Sequence, residues 1–449
     1  MNSATYDLVG IGIGPFNLGL ACLSQPLSNL RSVFFDKEPR FDWHPGMLLE
    51  NATLQTPFMG DLVTLADPSS SFSFLRYIKE MGRIYSFYTR ENFFLERNEY
   101  NQYCKWATEK LSNVQFGHTV KDVRYCEDTR LYRLTVYDKA GSIKIINSRK
   151  LVLGTGTSPY IPDCCTSSSS QVTHSSRYLM EKDRLQASKS ITIVGSGQSA
   201  AEIYHDLLLD IDKHGYQLDW ITRSSRFFPL DLTKLNLEMT SPDYAQYFYN
   251  LPEAKRAEAL RDHAPLFKGI NASLIKDIYD TLYRKRLVMD LQTRLIPNSE
   301  LVSCTYSSGL KRFSLEFRQR EQNVGFGHET ESLVLATGYE NREPEFLAGV
   351  ERRIKRDSKG RFAVGPNYAI DQTGDEIFVQ NCELHTHGFV APDLGMACLR
   401  NATILRAVLG LEVYPIEKDT TFQTFDISAL TSPSSSRVVA SHCEWRCSS

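Results

Sequence analysis

No Cys-x-x-Cys or Cys-x-x-x-x-Cys pair occurs among the ten cysteines of this 449-residue chain. That excludes a dithiol redox centre of the kind disulfide reductases carry beside a flavin. Scattered cysteines of this sort are mostly buried, reduced thiols. The ten histidines form no zinc spacing with them, so no metal site is expected. No apolar stretch approaches the roughly 18 residues of a membrane span. Met1 to Asp7 has no basic run, and the apolar segment behind it is short and broken by glycine. It reads as a core strand rather than a signal peptide, and a cytoplasmic location is the expectation. Excess basic charge is missing too: 51 Lys and Arg against 53 Asp and Glu leave a net charge of −2. With no basic aromatic platform either, nucleic acid is not an expected partner. What is left is an ordinary globular composition, 42% hydrophobic and 23% charged, with length for two or three domains.

Two glycine-rich turns stand out against that background. Each follows an apolar strand and opens a helix-like run: Gly12-Ile13-Gly14-Pro15-Phe16-Asn17, and Gly195-Ser196-Gly197-Gln198-Ser199-Ala200. The first glycine of such a turn permits the tight bend, and the second lets backbone approach a pyrophosphate. The helix that follows points its free N–H groups at the anion. The third glycine is replaced by Asn17 and Ala200, which weakens either match alone. Two in the same context predict two dinucleotides on one chain.

The next strand tells the nucleotides apart. Ser32-Val33-Phe34-Phe35-Asp36 ends in an acid where a carboxylate would accept from ribose hydroxyls, which suits FAD. Leu218-Asp219-Trp220-Ile221-Thr222-Arg223 ends instead in a hydroxyl and a guanidinium, followed by Arg226, which suits the 2′-phosphate of NADPH. The plain alternative for both arginines is a solvated turn.

Lys150-Leu151-Val152-Leu153-Gly154-Thr155-Gly156 and Ser332-Leu333-Val334-Leu335-Ala336-Thr337-Gly338-Tyr339 look like matching strand ends where the chain passes between nucleotide domains. The expected fold is α/β, with two Rossmann-like dinucleotide-binding domains and a smaller, mainly helical substrate region. The expected boundaries are 1–162 for the first part of the FAD domain, 163–325 for the NADPH domain, and 326–429 for the second part of the FAD domain. The helical region is expected at about 236–290, where most of the aromatic rings read as packing surface. The Ser-rich segment 430–449 is expected to be a disordered tail.

Several further strings are shared with a known family: Phe41-Asp42-Trp43-His44, Leu54-Gln55-Thr56-Pro57-Phe58-Met59-Gly60-Asp61-Leu62, Arg97-Asn98-Glu99-Tyr100, Gly197-Gln198-Ser199, Ala336-Thr337-Gly338-Tyr339 and Thr386-His387-Gly388-Phe389. With the first turn, they make nearly the whole chain resemble the flavin-dependent amine N-hydroxylases of hydroxamate siderophore biosynthesis. The resemblance implies a monooxygenase using FAD, NADPH and O2, in which a C4a-hydroperoxyflavin hydroxylates a neutral amine. It implies that Trp43, His44 and Gln55 are flavin-site residues and that Arg97 and Arg223 contact NADPH. By the same resemblance Asn271 bridges the nicotinamide ribose and the substrate. His44 has the plain alternative of a satisfied core histidine. With the turn residues Gly12, Gly14, Pro15, Asn17, Asp36, Gly195, Gly197, Gln198 and Ser199, and with Thr337 and Gly338, these form the expected cofactor site. Gln55 and Asn271 are the expected catalytic residues.

One departure bears on the substrate. Family members acting on ornithine or lysine carry a Lys five residues after the Gln, paired with the α-carboxylate, where this chain has Gly60. A second polar residue of the ornithine enzymes aligns with Leu237. A carboxylate entering such a cleft would lose water without gaining a partner, at a cost of roughly several kcal/mol. The resemblance is therefore to the diamine members, with putrescine or cadaverine as substrate. The length of the diamine stays open, since a methylene is worth only about 1–3 kcal/mol. Lys234 could still cover a carboxylate, so a lysine or ornithine hydroxylase is the first alternative. A pyridine-nucleotide flavoprotein reductase or a non-catalytic FAD-binding protein is the second. Oligomeric state is not legible, and a dimer or tetramer stays open.

Overall fold

The computed structural model describes residues 5–428; the expected tail at 430–449 lies outside the described residues. The chain folds around two parallel sheets that repeat one topology. In the first, strands run in the order 114–116, 32–36, 5–11, 143–153, and the end of the last also pairs in parallel with 377–379. The strand Ile143–Leu153 is long enough to change neighbours: its first half pairs antiparallel with Leu131–Tyr137 of a hairpin, and Leu151 to Leu153 face Ile377 to Val379. Leu8, Val9, Leu151 and Val152 are fully buried, the near-continuous apolar run of a parallel strand covered on both faces.

The second sheet runs 173–174, 332–335, 190–194, 217–221, 293–296, all parallel. Counted along the chain from 190–194, its third and fourth strands are 293–296 and 332–335, and between them comes an antiparallel meander, 299–307, 312–319 and 324–330, in the place the hairpin takes between 114–116 and 143–153 in the first unit. The doubly wound, Rossmann-like class is as expected. One boundary is corrected. Ser332–Leu335 is hydrogen-bonded between 173–174 and 190–194, so the second unit does not end at residue 325. The chain returns only after Gly338, where Tyr339–Glu340 pairs antiparallel with Ser158–Pro159. The Ala-Thr-Gly string ends the last strand of the second unit, just as Gly154-Thr155-Gly156 follows the corresponding strand of the first.

The region after the second strand of that unit is helical, as its composition predicts: Pro242–Asn250, Glu253–Asp262 and Ala272–Arg286. Ser241 caps the first by accepting from Tyr244 N–H at 3.2 Å. Tyr244 and Phe248 are buried with Phe389, whereas Tyr279 and Tyr283 are exposed. No helix among the described residues is long and apolar enough to cross a membrane, and none of their His, Cys, Asp and Glu side chains cluster as a metal site.

Candidate active site

The two glycine turns are built alike. Gly12 has φ +89°, and a Cβ there would lie 2.3 Å from Gly154 O; Gly195 has φ +150°, and its Cβ would lie 2.3 Å from Ala336 O. Each first glycine is thus pressed on the end of the fourth strand and demanded by both conformation and space. Each second glycine faces room. A Cβ on Gly14 would meet nothing within 4 Å, and one on Gly197 only Lys268 O at 3.9 Å. Gly14 and Gly197 precede the helices Pro15–Ser24 and Gln198–His214, with Pro15 in the first turn of the former. An open concavity at a helix N-terminus is what a pyrophosphate fits, so both turns suit a dinucleotide.

Asn17, expected at the cofactor turn, is held by its side chain. It is fully buried; its Nδ2 donates to Gly12 O at 2.8 Å, and its Oδ1 accepts from Gln380 Nε2 at 2.6 Å. It braces the turn from behind. Asp36 stands at the end of its strand as expected and accepts from Ile13 N–H at 2.6 Å, which ties the acid to the turn. In the second unit Arg223 is exposed just past the strand Gln217–Ile221, and neither it nor Arg226 forms a hydrogen bond or ion pair among the described residues. Thr337 is held to the crossing segment, its hydroxyl donating to Tyr160 O at 2.5 Å, and Gly338 O accepts from Tyr160 N–H at 3.0 Å. These two residues pin the passage between the units, where the sequence places them.

The units meet through residues 43–57. Met47, Leu49 and Ala52 pack in the core of the second unit, and Gly46 lies so close to the 175–177 turn that a Cβ would sit 2.0 Å from Ser176 O. Trp43 rests edge-on against Tyr100 at 5.2 Å and His44 at 4.8 Å. His44 itself has φ +48°. His44 is exposed at the surface, yet the protein packed around it first, and then the Arg97 charge, lower its pKa from the ordinary value. Arg97, expected to meet NADPH, grips Glu202 of the second unit with both terminal nitrogens, at 2.9 and 2.8 Å, and donates to Met47 O at 2.7 Å.

Gln55, Asn271 and Gln198 are brought together across this junction. Asn271 caps the helix Ala272–Arg286: its Oδ1 accepts from Ser273 N–H at 2.9 Å and from Ser273 Oγ–H at 2.7 Å. With its oxygen so occupied, Asn271 turns Nδ2 to Gln55 Oε1 at 3.3 Å. Asn271 N–H donates to Gln198 Oε1 at 2.8 Å. Gln55 Nε2 is left buried without a partner. An unsatisfied buried donor costs about 1–3 kcal/mol, and the acceptor edge of a flavin would satisfy it. Ser199, next to Gln198, is half-buried in the first turn of its helix.

Gly60 is buried in a turn, its N–H donating to Pro57 O at 2.8 Å. A Cβ there would lie 2.2 Å from Thr56 Cγ2 and 3.1 Å from Gly395 Cα. Gly395 also lines a cleft of about 470 Å³ whose walls include Leu237, Lys234, Glu238, Met396 and Glu417. Leu237 thus lines this cleft, which holds one lysine and two glutamates, and Gly60 packs behind Gly395 in its wall. The sequence reading missed Asp393, two residues before Gly395. A Cβ on Gly395 would come within 3.1 Å of its Oδ1, and that oxygen accepts from Met396 N–H at 3.0 Å. Burial raises the pKa of this carboxyl. It also missed Glu202, although a carboxylate four residues after Gln198 on the same helix face was visible.

The two repeated units, the paired turns and the polar junction between them define a two-nucleotide oxidoreductase. The comparisons are more specific: the model of the L-lysine 6-monooxygenase/L-ornithine 5-monooxygenase family matches residues 4–341, and the chain belongs to that family of monooxygenases. It is 52% identical to a putrescine N-hydroxylase of Shewanella oneidensis, over 94% of this chain and 84% of that protein. It is also 52% identical to the FAD-bound cadaverine monooxygenase of desferrioxamine biosynthesis in Erwinia amylovora, whose crystal structure superposes with a TM-score of 0.92 over 94% of this chain and 99% of that one. The ornithine N-hydroxylase of Kutzneria sp. 744, with reduced FAD, NADP+ and L-ornithine, is 26% identical, with a TM-score of 0.84 over 91% of this chain and 99% of that one.

Proposed function

We propose that this protein is a cytoplasmic N-hydroxylase of a primary aliphatic diamine, putrescine or cadaverine, in hydroxamate siderophore biosynthesis. It takes FAD at the first glycine turn, NADPH at the second, and O2. The observation that supports the substrate class is Gly60 itself: the position brings no cation for an α-carboxylate, its nearest neighbours are Thr56, Pro57 and Gly395, and Asp393 lies beside Gly395.

Bound FAD supplies the oxygen-activating chemistry, reduced by NADPH. The chain does the rest. Gly14 and Gly197 admit the pyrophosphates, and Arg223 stands free for a 2′-phosphate. Gln55 donates to the flavin edge through Nε2. The reacting amine resembles lysine in basicity, with a pKa of about 10.4. The neutral amides of Gln55 and Asn271 offer it hydrogen bonds without a carboxylate to hold its proton, which favours the free base. Asp393 holds the far ammonium, and the opposing charges bring its raised pKa back down.

Lysine or ornithine would need Lys234 for the carboxylate, and Lys234 does line the cleft. A panel of putrescine, cadaverine, lysine and ornithine decides, read as hydroxylamine formed. Diamines should lead in kcat/KM by at least about tenfold, one charge pair's worth at roughly 1.4 kcal/mol. Parity between diamines and amino acids would remove the substrate assignment.

A further inference from the structure

Five residues form a continuous chain across the junction of the two units, joined at Asn271 through its backbone N–H on one side and its side-chain amide on the other, and the first link is oriented by one carboxylate. Glu202, with only 6% of its side chain exposed, accepts from both terminal nitrogens of Arg97 and from Gln198 Nε2 at 2.9 Å. An ionised carboxylate has no proton to give. Gln198 must therefore turn its NH2 to Glu202 and its oxygen to Asn271 N–H, which it does at 2.8 Å. Asn271, fixed from that side and by its cap on Ser273, turns its own NH2 to Gln55 Oε1, and Gln55 is left with Nε2 as the outward donor. Reversing any amide in the series would set donor against donor or acceptor against acceptor.

We propose that Glu202 is a positioning residue: it orients the Gln198 amide, which holds the Asn271 backbone where its side chain meets Gln55, and, through Arg97, it holds the first unit's flavin-site segment in register with the second. The inference rests on the proposed roles of Gln55 and Asn271. Arg97 is accordingly a docking residue that neutralises Glu202.

The test uses the FAD-loaded protein and the Glu202→Gln, Asn271→Ser and combined variants. Glutamine keeps the volume of Glu202 but removes its charge and its acceptor-only character; serine keeps the helix cap of Asn271 but loses the amide. Three readouts are taken: the visible absorbance spectrum of the oxidised flavin, the FAD dissociation constant by fluorescence, and hydrogen peroxide released per NADPH with putrescine present. Glu202→Gln should shift the flavin spectrum in the same sense as Asn271→Ser and raise peroxide per NADPH about fivefold, the effect of one ordinary hydrogen bond. The combined variant should be no worse than Asn271→Ser alone, because both act through one chain. Effects that add, or a Glu202→Gln spectrum and peroxide yield equal to wild type, overturn the inference. If Asn271→Ser alone leaves spectrum and peroxide unchanged, the roles given to Gln55 and Asn271 fail first. Should Glu202→Gln not fold, Gln198→Leu severs the same chain while leaving the Arg97–Glu202 pair intact, and the same shift is expected.

Discussion

At Gly60 the sequence and the structure each supply half of an argument. The missing charge is legible in one letter; the missing space is not, because Thr56 and Gly395 close on that position only in the fold. Gly60→Lys would therefore act twice, through contact with Thr56 Cγ2 and through a cation beside the site of the far ammonium. Gly60→Ala isolates the first effect. Overpacking of this kind costs typically about 1–3 kcal/mol, so both variants should melt lower than wild type. Only the lysine variant should raise the KM for putrescine, by on the order of tenfold or more from like-charge repulsion. An equal rise in both would make Gly60 a packing residue and nothing else. Arg223 is a simpler case. With no partner among the described residues to leave stranded, Arg223→Ala should raise the KM for NADPH about tenfold and leave that for NADH nearly unchanged. A parallel rise for both nucleotides would place the 2′-phosphate elsewhere.

At the scale of elements, the turns and strands that carry the nucleotide signatures were readable because their demands are local: a positive φ, an open helix N-terminus, an apolar run. The fourth strand of the second unit was misplaced because Ser332 to Leu335 looks the same whichever sheet receives it, and only pairing with Ile191 to Val194 decides. The bracing bond of Asn17 was not legible for a similar reason, its partner Gln380 lying 363 residues away. The short helix Leu384–His387 carries a titration that follows from its packing. His387 is buried, stacked on Tyr368 at 4.4 Å, and burial, then the Arg400 charge, pull its pKa down to about 3. Unfolded, it would titrate near 6.5. Between those values the unfolded chain binds the extra proton, so stability rises with pH and is lost as pH falls from about 6.5 towards 3. His387→Phe keeps the stacked ring and removes the proton site. The drop in unfolding free energy from pH 7 to pH 5, measured by denaturant titration, should shrink by on the order of 1–2 kcal/mol. An unchanged drop would show that His387 is not neutral in the folded protein.

For the whole molecule, the decisive feature is that a segment of the first unit is built into the core of the second. Met47, Leu49 and Ala52 are buried there, at 3%, 6% and 8% exposure, while Arg97 holds Glu202 from the side. Two units sharing a core should unfold together, so the FAD-loaded wild type should melt in one transition rather than two. Gly46 is the tightest point of this contact, because the atoms facing it are Ser176 O and C and Arg177 Cα, backbone that cannot rotate away. Gly46→Ala must push the 175–177 turn back, and with it the alignment of Gln198 and Asn271 to Gln55. The first glycine turn is elsewhere, so FAD content should stay near wild type. The melting temperature should fall by a few degrees, the equivalent of about 1–3 kcal/mol of overpacking in a chain of this size, and hydroxylated product per NADPH should fall with it. A Gly46→Ala protein that melted at the wild-type temperature with full coupling would mean that the two units function without this contact.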